Sequence, residues 1–469
     1  MNLARWSHAD DPPVRPCLET LPAPLPEASR QHRPRDRSAQ PLPSVKHAGM
    51  TPEPLAFIGT SDLAGLVRGK SVPAPEMPGR MEHGVGIAPS NLMLSVFGPI
   101  LDTPFGTAGD LALVPDPATR TLIPMPDGSD VHLLLGDFCS TMGVPWECCP
   151  RHFLRRALET LASEHGLTLL SAFEQELVYT GVEERPGSPY TLDALRRQGP
   201  FGGTLLAAMR RAGIAPDSFL AEYGPRQYEV TAGPAIGLRA ADEAVLVREL
   251  ARAVAARLGH RAILAPMLHP DGTGNGTHIH WSLLDAAGQP ATHDAARPHG
   301  LSDAAEGFCA GLLHHLPALA SVTAPSAASY YRLRPNRWAP TTADLGVQDR
   351  GSAVRICPVY GGSAGDIARQ FNIEFRVADA TASPYLALGV LVWAGLDGLR
   401  QRRRLADHRP APLPASLDAT LDAFAASPDA AEWFGPVFHD AYLRFKRAEL
   451  RALAGLGEAA ICDRYAAVY

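Results

Sequence analysis

Residues 144–166 read VPWECCPRHFLRRALETLASEHG, and the pattern of the chain changes there. Phe153, Leu154, Ala157, Leu158 and Leu161 recur at helical spacing, with Pro150 near the start and Gly166 at the end. Proline suits the first turn of a helix and glycine its left-handed stop, so this stretch is expected to be an amphipathic helix. Upstream the apolar runs are short and broken by turn residues: LAFIGTSDLAGLVRGKSVP (55–73), LMLSVFGPI (92–100), LALVPD (111–116) and VHLLLGDF (131–138). All four are expected to be β-structure, in a small domain spanning 51–143. Downstream, strands and helices interleave. AADEAVLVRELARAVAARLG (240–259) is a second clear helix, and PYLALGVLVWAGLDGLRQRRR (384–404) a third, mostly buried one. HRPAPLP (408–414) reads as a linker before a helical C-terminus. The fold class is α+β, with a large second domain over 144–469.

The first fifty residues hold nine prolines and seven Lys or Arg with few large apolar side chains, too little to bury, so 1–50 is expected to be a disordered Pro/Arg-rich extension. A net charge of −6 argues against non-specific nucleic-acid binding. Seven scattered cysteines without C-x-x-C exclude a disulfide framework or a zinc ribbon and fit a reducing compartment. No apolar run approaches the roughly 18 residues of a spanning helix, and no apolar signal segment follows the first charges. The expectation is a cytoplasmic enzyme without membrane or nucleic-acid partners.

Carboxylates accumulate where ordinary packing gives them little reason to be. In LLSAFEQELVYTG, read as a strand, Glu174 and Glu176 share one face among apolar neighbours. Like charges side by side repel, so either the face is open to solvent or a cation holds the pair. AEYGPRQYEVTAG adds Glu222 and Glu229 around a turn at Gly224-Pro225, and NIEFRVADA adds Glu374 with Arg376 on the same face. In GTGNGTHIHWSL (272–283), His278 and His280 are two apart and share a face if extended. That pair alone fits a metal site, a phosphate loop or strand packing. Five carboxylates and one imidazole on separate strands suit Mg²⁺ or Mn²⁺ better than structural zinc. Arg332, Arg350, Arg355 and Arg376 lie in segments rich in Pro, Gly and Tyr, and arginine forks match phosphate and carboxylate oxygens. Acidic metal-holding clusters beside fixed arginines make a phosphoryl-transfer site.

In this order, FEQEL, EYGPRQYE, GNGTHIHWS, SYYRL, DRGSAVRICP and IEFRVADATASPYLALGVLVWAGLDG resemble the glutamine synthetase family, with the likeness beginning near DLAGLVRGKSVP (62–73). The resemblance implies a small β-grasp N-terminal domain and a large catalytic domain with a curved antiparallel sheet and flanking helices. It implies ATP, two Mg²⁺ or Mn²⁺ ions per site, and a homo-oligomer, usually a double hexameric ring with sites at subunit interfaces. One ion would take Glu176, Glu222 and Glu229, and the other Glu174, His278 and Glu374. Arg332 and Arg376 would hold glutamate, together with Thr273 and Gly274. Arg350 and Arg355 would hold the phosphates and the transferring group, and His280 and Ser282 would face the nucleotide. Arg350, Arg332 and Glu374 are the residues expected to serve the chemistry most directly.

The departures concern the nitrogen donor. The family's D-G-S-S segment is missing from FGPILDTPFGTAGD (97–110). The flap glutamate is replaced by Trp338, an asparagine near the glutamate site by Thr273, and an upstream lysine by Met267. Replacing a carboxylate with an indole removes a charge and adds an apolar wall with a cation-attracting face. The expected reaction is therefore ligation of glutamate to a primary amine through a γ-glutamyl phosphate, as in the γ-glutamyl-polyamine and γ-glutamyl-monoamine ligases of the family. The alternatives are an ordinary glutamine synthetase using ammonia, with Asp344 standing in for the lost glutamate, and a ring-forming non-catalytic relative.

Overall fold

The computed structural model describes residues 53–469; the expected extension over 1–50 lies outside them. Six strands form the first sheet: β1 (Leu55–Ser61), β2 (Val67–Pro73), β3 (Val85–Ile87), β4 (Leu111–Pro115), β5 (Thr121–Pro124) and β6 (Asp130–Ser140), in the order β2-β1-β6-β4-β3 with β5 also on β6. The central pair β1/β6 runs parallel, Ala56 opposite His132, and the other ladders are antiparallel. This places the first and last strands of the sheet side by side, the arrangement expected of a β-grasp.

One expected strand does not form. Pro89–Met93 is a 3₁₀ turn, and 94–100 closes through a single bridge between Leu94 and Ile100. Pro89 and Pro99 lack the N–H a ladder needs, and Gly98 has φ +104°. Leu92, Met93 and Val96 are buried all the same, so the apolar pattern marked burial correctly but not extended pairing.

The expected helix forms over Pro150–His165, ended by Gly166 in the left-handed conformation. Its Arg151, 1% exposed, ties the two halves together through ion pairs to Asp116 (2.7 Å) and Asp137 (2.7 Å) on the first sheet and Asp242 (2.9 Å) on the helix Leu238–Arg257. The β1–β2 turn is held from within by Asp62, which accepts from Ala64 N, Leu66 N and Arg68 Nε. The same turn packs against the C-terminal half, where Tyr469 Oη donates to the carbonyl of Ala64.

The second, nine-stranded sheet is built from β7 (Thr168–Tyr179), β8 (Pro216–Ala221), β9 (Gln227–Ala232), β10 (Ala235–Ile236), β11 (Ala262–Ile263) and β12 (Ile279–Leu284). A short β13 (Thr342–Ala343) stands apart from it, and β14 (Leu345–Val347), β15 (Val354–Ile356) and β16 (Ile373–Phe375) complete it. Its path is β14-β15-β16-β12-β7-β9-β8, antiparallel except for β14/β15, with β10 and β11 also on β7. The expected linker is pinned by β17 (Ala411–Pro412), which pairs with β13.

Helices cover this sheet. Pro384–Arg400 is buried from Pro384 through Gly398, as its unbroken apolar run requires, and crosses the helix Asp303–Thr323 at a glycine contact. A Cβ on Gly311 would lie 2.1 Å from the Ala394 carbonyl oxygen, and one on Gly398 2.0 Å from that of Gly307. Only hydrogen fits at either position. Among the described residues, no helix is long and apolar enough to cross a membrane.

Candidate active site

Sheet register alone brings the carboxylates together. Glu176 lies opposite Glu229 across β7/β9, while His280 and Arg355 both lie opposite Glu374, across β12/β16 and β15/β16. Along β7, Phe173, Gln175 and Leu177 are buried while Glu174 and Glu176 face the other way, so alternation delivers both glutamates to one cavity. Glu174 and Glu176 are half-buried, and the face is not an open solvated one.

A cavity of about 540 Å³ opens over this face. Its lining includes Glu174, Glu176, Glu222, Glu229, His278, Thr273, Gly274, Arg332, Trp338, Arg350 and Arg376. His280, Ser282, Arg355 and Glu374 are not part of the lining. His280 and Glu374 instead support the cavity wall through Glu174 and His278.

His278 Nδ1 lies 2.9 Å from Glu174 Oε2 and 3.4 Å from Glu374 Oε1, and His280 Nε2 lies 3.0 Å from Glu174 Oε1. The other ring nitrogen of His280 meets Asn372 Oδ1 at 2.8 Å. Ser282 donates to the Phe371 carbonyl at 3.0 Å. Glu374, 1% exposed, is gripped on one oxygen by Arg355 Nη1 (2.6 Å) and on the other by Arg376 Nη1. Arg376 also donates from Nε to the Arg350 carbonyl (3.0 Å) and from Nη2 to the Trp338 carbonyl (3.5 Å). Arg332 is buried, donates to the carbonyls of Val377 and Ala378, and leaves its Nε without a partner.

The electrostatics divide these carboxylates. Burial disfavours the charge on Glu174, but hydrogen bonds from His278 and His280 outweigh it and hold its carboxyl well below the usual range. Burial likewise opposes ionisation of Glu374, and His278, His280 and Arg376 overcome it. Glu229 has no such help. Burial, then Glu174, Glu176 and Glu222, push it up to about 9, and burial followed by Glu176 raises Glu222 as well. A group of carboxylates that repel one another to this degree fits a site for a cation, which would favour their ionised forms. Ligand atoms of Glu174, Glu229 and His278 lie within 4.8 Å of one another, and so do those of His280, Cys357 and Glu374. The oxygen-rich donor set of the first group fits Mg²⁺ or Mn²⁺. These groupings cut across the expected division of six ligands between two ions: Glu374 stands with His280 and Cys357 and is also bonded by two arginines, while His278 Nδ1 lies within 3.4 Å of both Glu174 and Glu374.

Four polar or aromatic lining residues were not singled out from sequence: Tyr190, Tyr223, Gln227 and Arg337. Gln227 Nε2 reaches Glu176 Oε2 (3.2 Å), the Gly274 carbonyl (2.8 Å) and Asn275 Oδ1 (2.8 Å), binding the glycine segment to β7 and β9. Its place between Glu222 and Glu229 in EYGPRQYE was a signal. Arg337 holds the neighbouring loop by donating to the carbonyls of Gly272 and, at 2.9 Å, Pro270. Tyr190 donates to Glu222 Oε1 at 2.9 Å, and nothing in its Gly/Pro-rich surroundings marked it. Asp344, the candidate substitute for the flap glutamate, is outside the lining and accepts from Ala353 N at 3.0 Å. Met267 is fully buried beneath Gly274.

With this geometry in hand, comparison with known proteins is direct. Residues 40–146 match the family model of the glutamine synthetase N-terminal domain, and residues 147–465 that of the glutamine synthetase catalytic domain. A gamma-glutamylpolyamine synthetase of Streptomyces coelicolor is 34% identical over 443 residues, 88% of this chain and 92% of that protein. A glutamine synthetase of Mycolicibacterium smegmatis is 29% identical over 419 residues, 83% of this chain and 90% of that protein. A crystal structure described as a novel glutamine synthase homolog superposes with a TM-score of 0.85 at 40% identity, covering 90% of this chain and 99% of that one.

Proposed function

Since the chain belongs to the glutamine synthetase family and is an ATP-dependent carbon–nitrogen ligase, we propose that it joins glutamate to a primary amine larger than ammonia, through a γ-glutamyl phosphate. The observation that carries this reading is Trp338. An indole, two-thirds exposed at 66%, lines the cavity at the position where ammonia-using relatives are expected to carry a flap glutamate. Ammonium is a small cation that needs carboxylates around it, whereas an amine with an organic substituent gains from an aromatic wall. The similarity to a gamma-glutamylpolyamine synthetase supports the same choice.

In this reading Glu176, Glu222 and Glu229 hold one divalent ion and Glu174, His278 and Glu374 the other. Bound there, Mg²⁺ or Mn²⁺ supplies Lewis-acid charge neutralisation for the γ-phosphoryl group. The protein's own residues do the rest. Arg332 and Arg376 take the carboxylates of glutamate beside Thr273 and Gly274, and Arg350 lies toward the transferring phosphoryl. Arg355 acts toward the phosphates and orients Glu374, while His280 and Ser282 lie on the nucleotide side.

A carboxylate oxygen of glutamate attacks the γ-phosphorus, and the bond to the ADP oxygen breaks. The neutral amine nitrogen then attacks the acyl carbon, the carbon–oxygen bond to phosphate breaks, and the departing phosphate takes up the nitrogen's proton. Arginines fixed before the reaction stabilise the charge that moves without reorganising. An acyl phosphate open to water would hydrolyse, so cover from the Trp338 loop serves the chemistry too. The active form is a ring-shaped homo-oligomer of the family type.

Phosphate release measured with glutamate, ATP and a panel of amines tests the proposal. An organic amine should give the highest kcat/KM. Ammonia as the best acceptor would identify an ordinary glutamine synthetase, and no turnover with any acceptor would favour a non-catalytic relative.

A further inference from the structure

Two buried arginines grip one short stretch of main chain behind the cavity wall. Arg332, 4% exposed, donates to the carbonyls of Val377 and Ala378. Arg248, on the helix Leu238–Arg257 and 2% exposed, donates from Nη1 to the carbonyls of Ala380 (3.0 Å) and Ala382 (2.7 Å). Between these two pairs of carbonyls stands Asp379, fully buried. One of its oxygens accepts from Thr381 N (3.0 Å) and Thr381 Oγ1, and the other has no partner.

The charges around this stretch do not balance. Both guanidinium groups direct these bonds to uncharged oxygens, Arg248 Nε reaching Gln175 Oε1 at 3.2 Å. A buried charge is costly unless a counter-charge answers it. Burial disfavours the charge on Arg332, and Asp379 followed by Glu176 favours it. Burial and then Arg252 push Arg248 down to about 9, with Asp379 foremost among the groups opposing them. Glu176 is engaged by a metal ion in the proposed function. Two buried cations then share one buried anion, and positive charge is left over at Arg332, which lines the cavity.

The stretch depends on its arginines more than its neighbours do. Gln175 sits on β7, which is held by ladders to β9 and β12, so losing one side-chain bond moves it little. Residues 377–382 belong to no strand or helix. Thr277 N donates to the Ala378 carbonyl (2.9 Å), and Asp379 N to that of Thr323 (3.1 Å). The β1–β2 turn closes over the far end, where a Cβ on Gly65, at φ +70°, would lie 2.8 Å from the Thr381 carbonyl oxygen. The carbonyls of Ala380 and Ala382 are fixed by Arg248.

We propose that Arg248 is a positioning residue for Arg332. It anchors the Ala380 and Ala382 end of the stretch and shares Asp379, so that Arg332 keeps its unpartnered Nε and its charge for a carboxylate of the bound substrate. Without Arg248, Asp379 would have Arg332 alone to answer it, and the guanidinium would be drawn from the cavity toward that carboxylate. Arg248 is itself no part of the cavity lining, so its effect on substrate passes through Arg332. This rests on the reading in which Arg332 holds glutamate, and it adds the residue that keeps Arg332 in place.

The test is calorimetric titration of glutamate into protein loaded with Mg²⁺ and ADP, which needs no acceptor amine. Arg248→Met should weaken glutamate binding about tenfold, the size of one charge-assisted hydrogen bond, while the Kd for ADP with Mg²⁺ changes less than about twofold. Arg248→Lys keeps the charge without the fork and should weaken glutamate binding only about threefold. Thr381→Val leaves both arginines in place and frees Asp379 to pair with Arg332, so it too should weaken glutamate binding about threefold. It carries the test if Arg248→Met folds poorly. Folded variants that bind glutamate as the wild type does, or that lose glutamate and ADP affinity together, overturn the positioning role. A wild type that binds no glutamate, or an Arg332→Lys variant that binds it undiminished, refutes the underlying reading instead.

Discussion

Removing divalent metal should make the protein's stability depend on pH in a direction opposite to ordinary acid denaturation. Glu229 is the source. Its carboxyl is raised from 4.5 to about 9 by burial and by three neighbouring glutamates, so the folded protein holds a proton there that the unfolded chain releases above pH 4.5. The stabilisation is fully present below pH 4.5 and is lost as pH rises toward 9. Within that window one retained proton costs about 1.4 kcal/mol of stability per pH unit, hence roughly 3 kcal/mol between pH 6 and pH 8. His280, raised by its bonds to Cys357 and Glu174 against the effect of burial, acts in the same direction. At about 2 cal/mol/K per residue for the ordered chain, this corresponds to a fall of about 3 °C in unfolding midpoint. The assay is thermal unfolding in EDTA at pH 6 and pH 8, for the wild type and for Glu229→Gln, which cannot ionise. The wild type should fall and the variant should lose most of that slope. Added Mg²⁺ should stabilise the wild type more at pH 8 than at pH 6, because binding must expel the proton. A wild-type midpoint that is flat or rises with pH, or an identical slope in Glu229→Gln, would refute the idea that crowded carboxylates await a cation.

Glu374→Ala should remove phosphoryl transfer and destabilise the protein by about 3–5 kcal/mol, because Arg355 and Arg376 would be left buried without a counter-charge; urea unfolding measures the loss. Arg151→Met should lower stability by a similar few kcal/mol by leaving Asp116 and Asp242 without a counter-charge, Asp137 keeping Arg155, and limited proteolysis should then cut first between the two sheets. His278→Ala should abolish phosphate release and weaken Mn²⁺ binding, whereas His280→Ala should chiefly raise the KM for ATP. Equal loss of Mn²⁺ affinity in a titration of the two variants would show that both rings serve the metal.

The sequence was most legible where a periodic pattern and a local stop signal agreed. The helix Pro150–His165 is the clearest case, with its apolar stripe, its proline start and its glycine end. Period-two alternation likewise placed Glu174 and Glu176 on one face, but which strand lies opposite was beyond it. Cross-strand register, which sets Glu229 against Glu176 and Glu374 between Arg355 and His280, is a non-local property that no single segment encodes. The segment 92–100 misled because burial and strand pairing share an apolar signature, and there the prolines decided between them. Tyr190 and Tyr223 escaped notice for a related reason. An aromatic residue in a loop has no meaning in one dimension, and theirs arises only when the turn at Gly224-Pro225 and the loop carrying Trp338 fold toward each other.

Arg376 grips Trp338 by its main-chain oxygen and not by its ring, and Arg337 likewise holds the loop through carbonyls of its neighbour. The scaffold is therefore indifferent to which side chain occupies position 338, provided that the residue tolerates a left-handed backbone. Asparagine, glycine or histidine could be accommodated there without disturbing the ion pairs of Glu374 with Arg355 and Arg376. Under the proposed function, choice of acceptor and execution of chemistry are then separable. A lineage or an engineer could change the nitrogen donor by single substitutions at the rim while the acid-lined interior stays as it is.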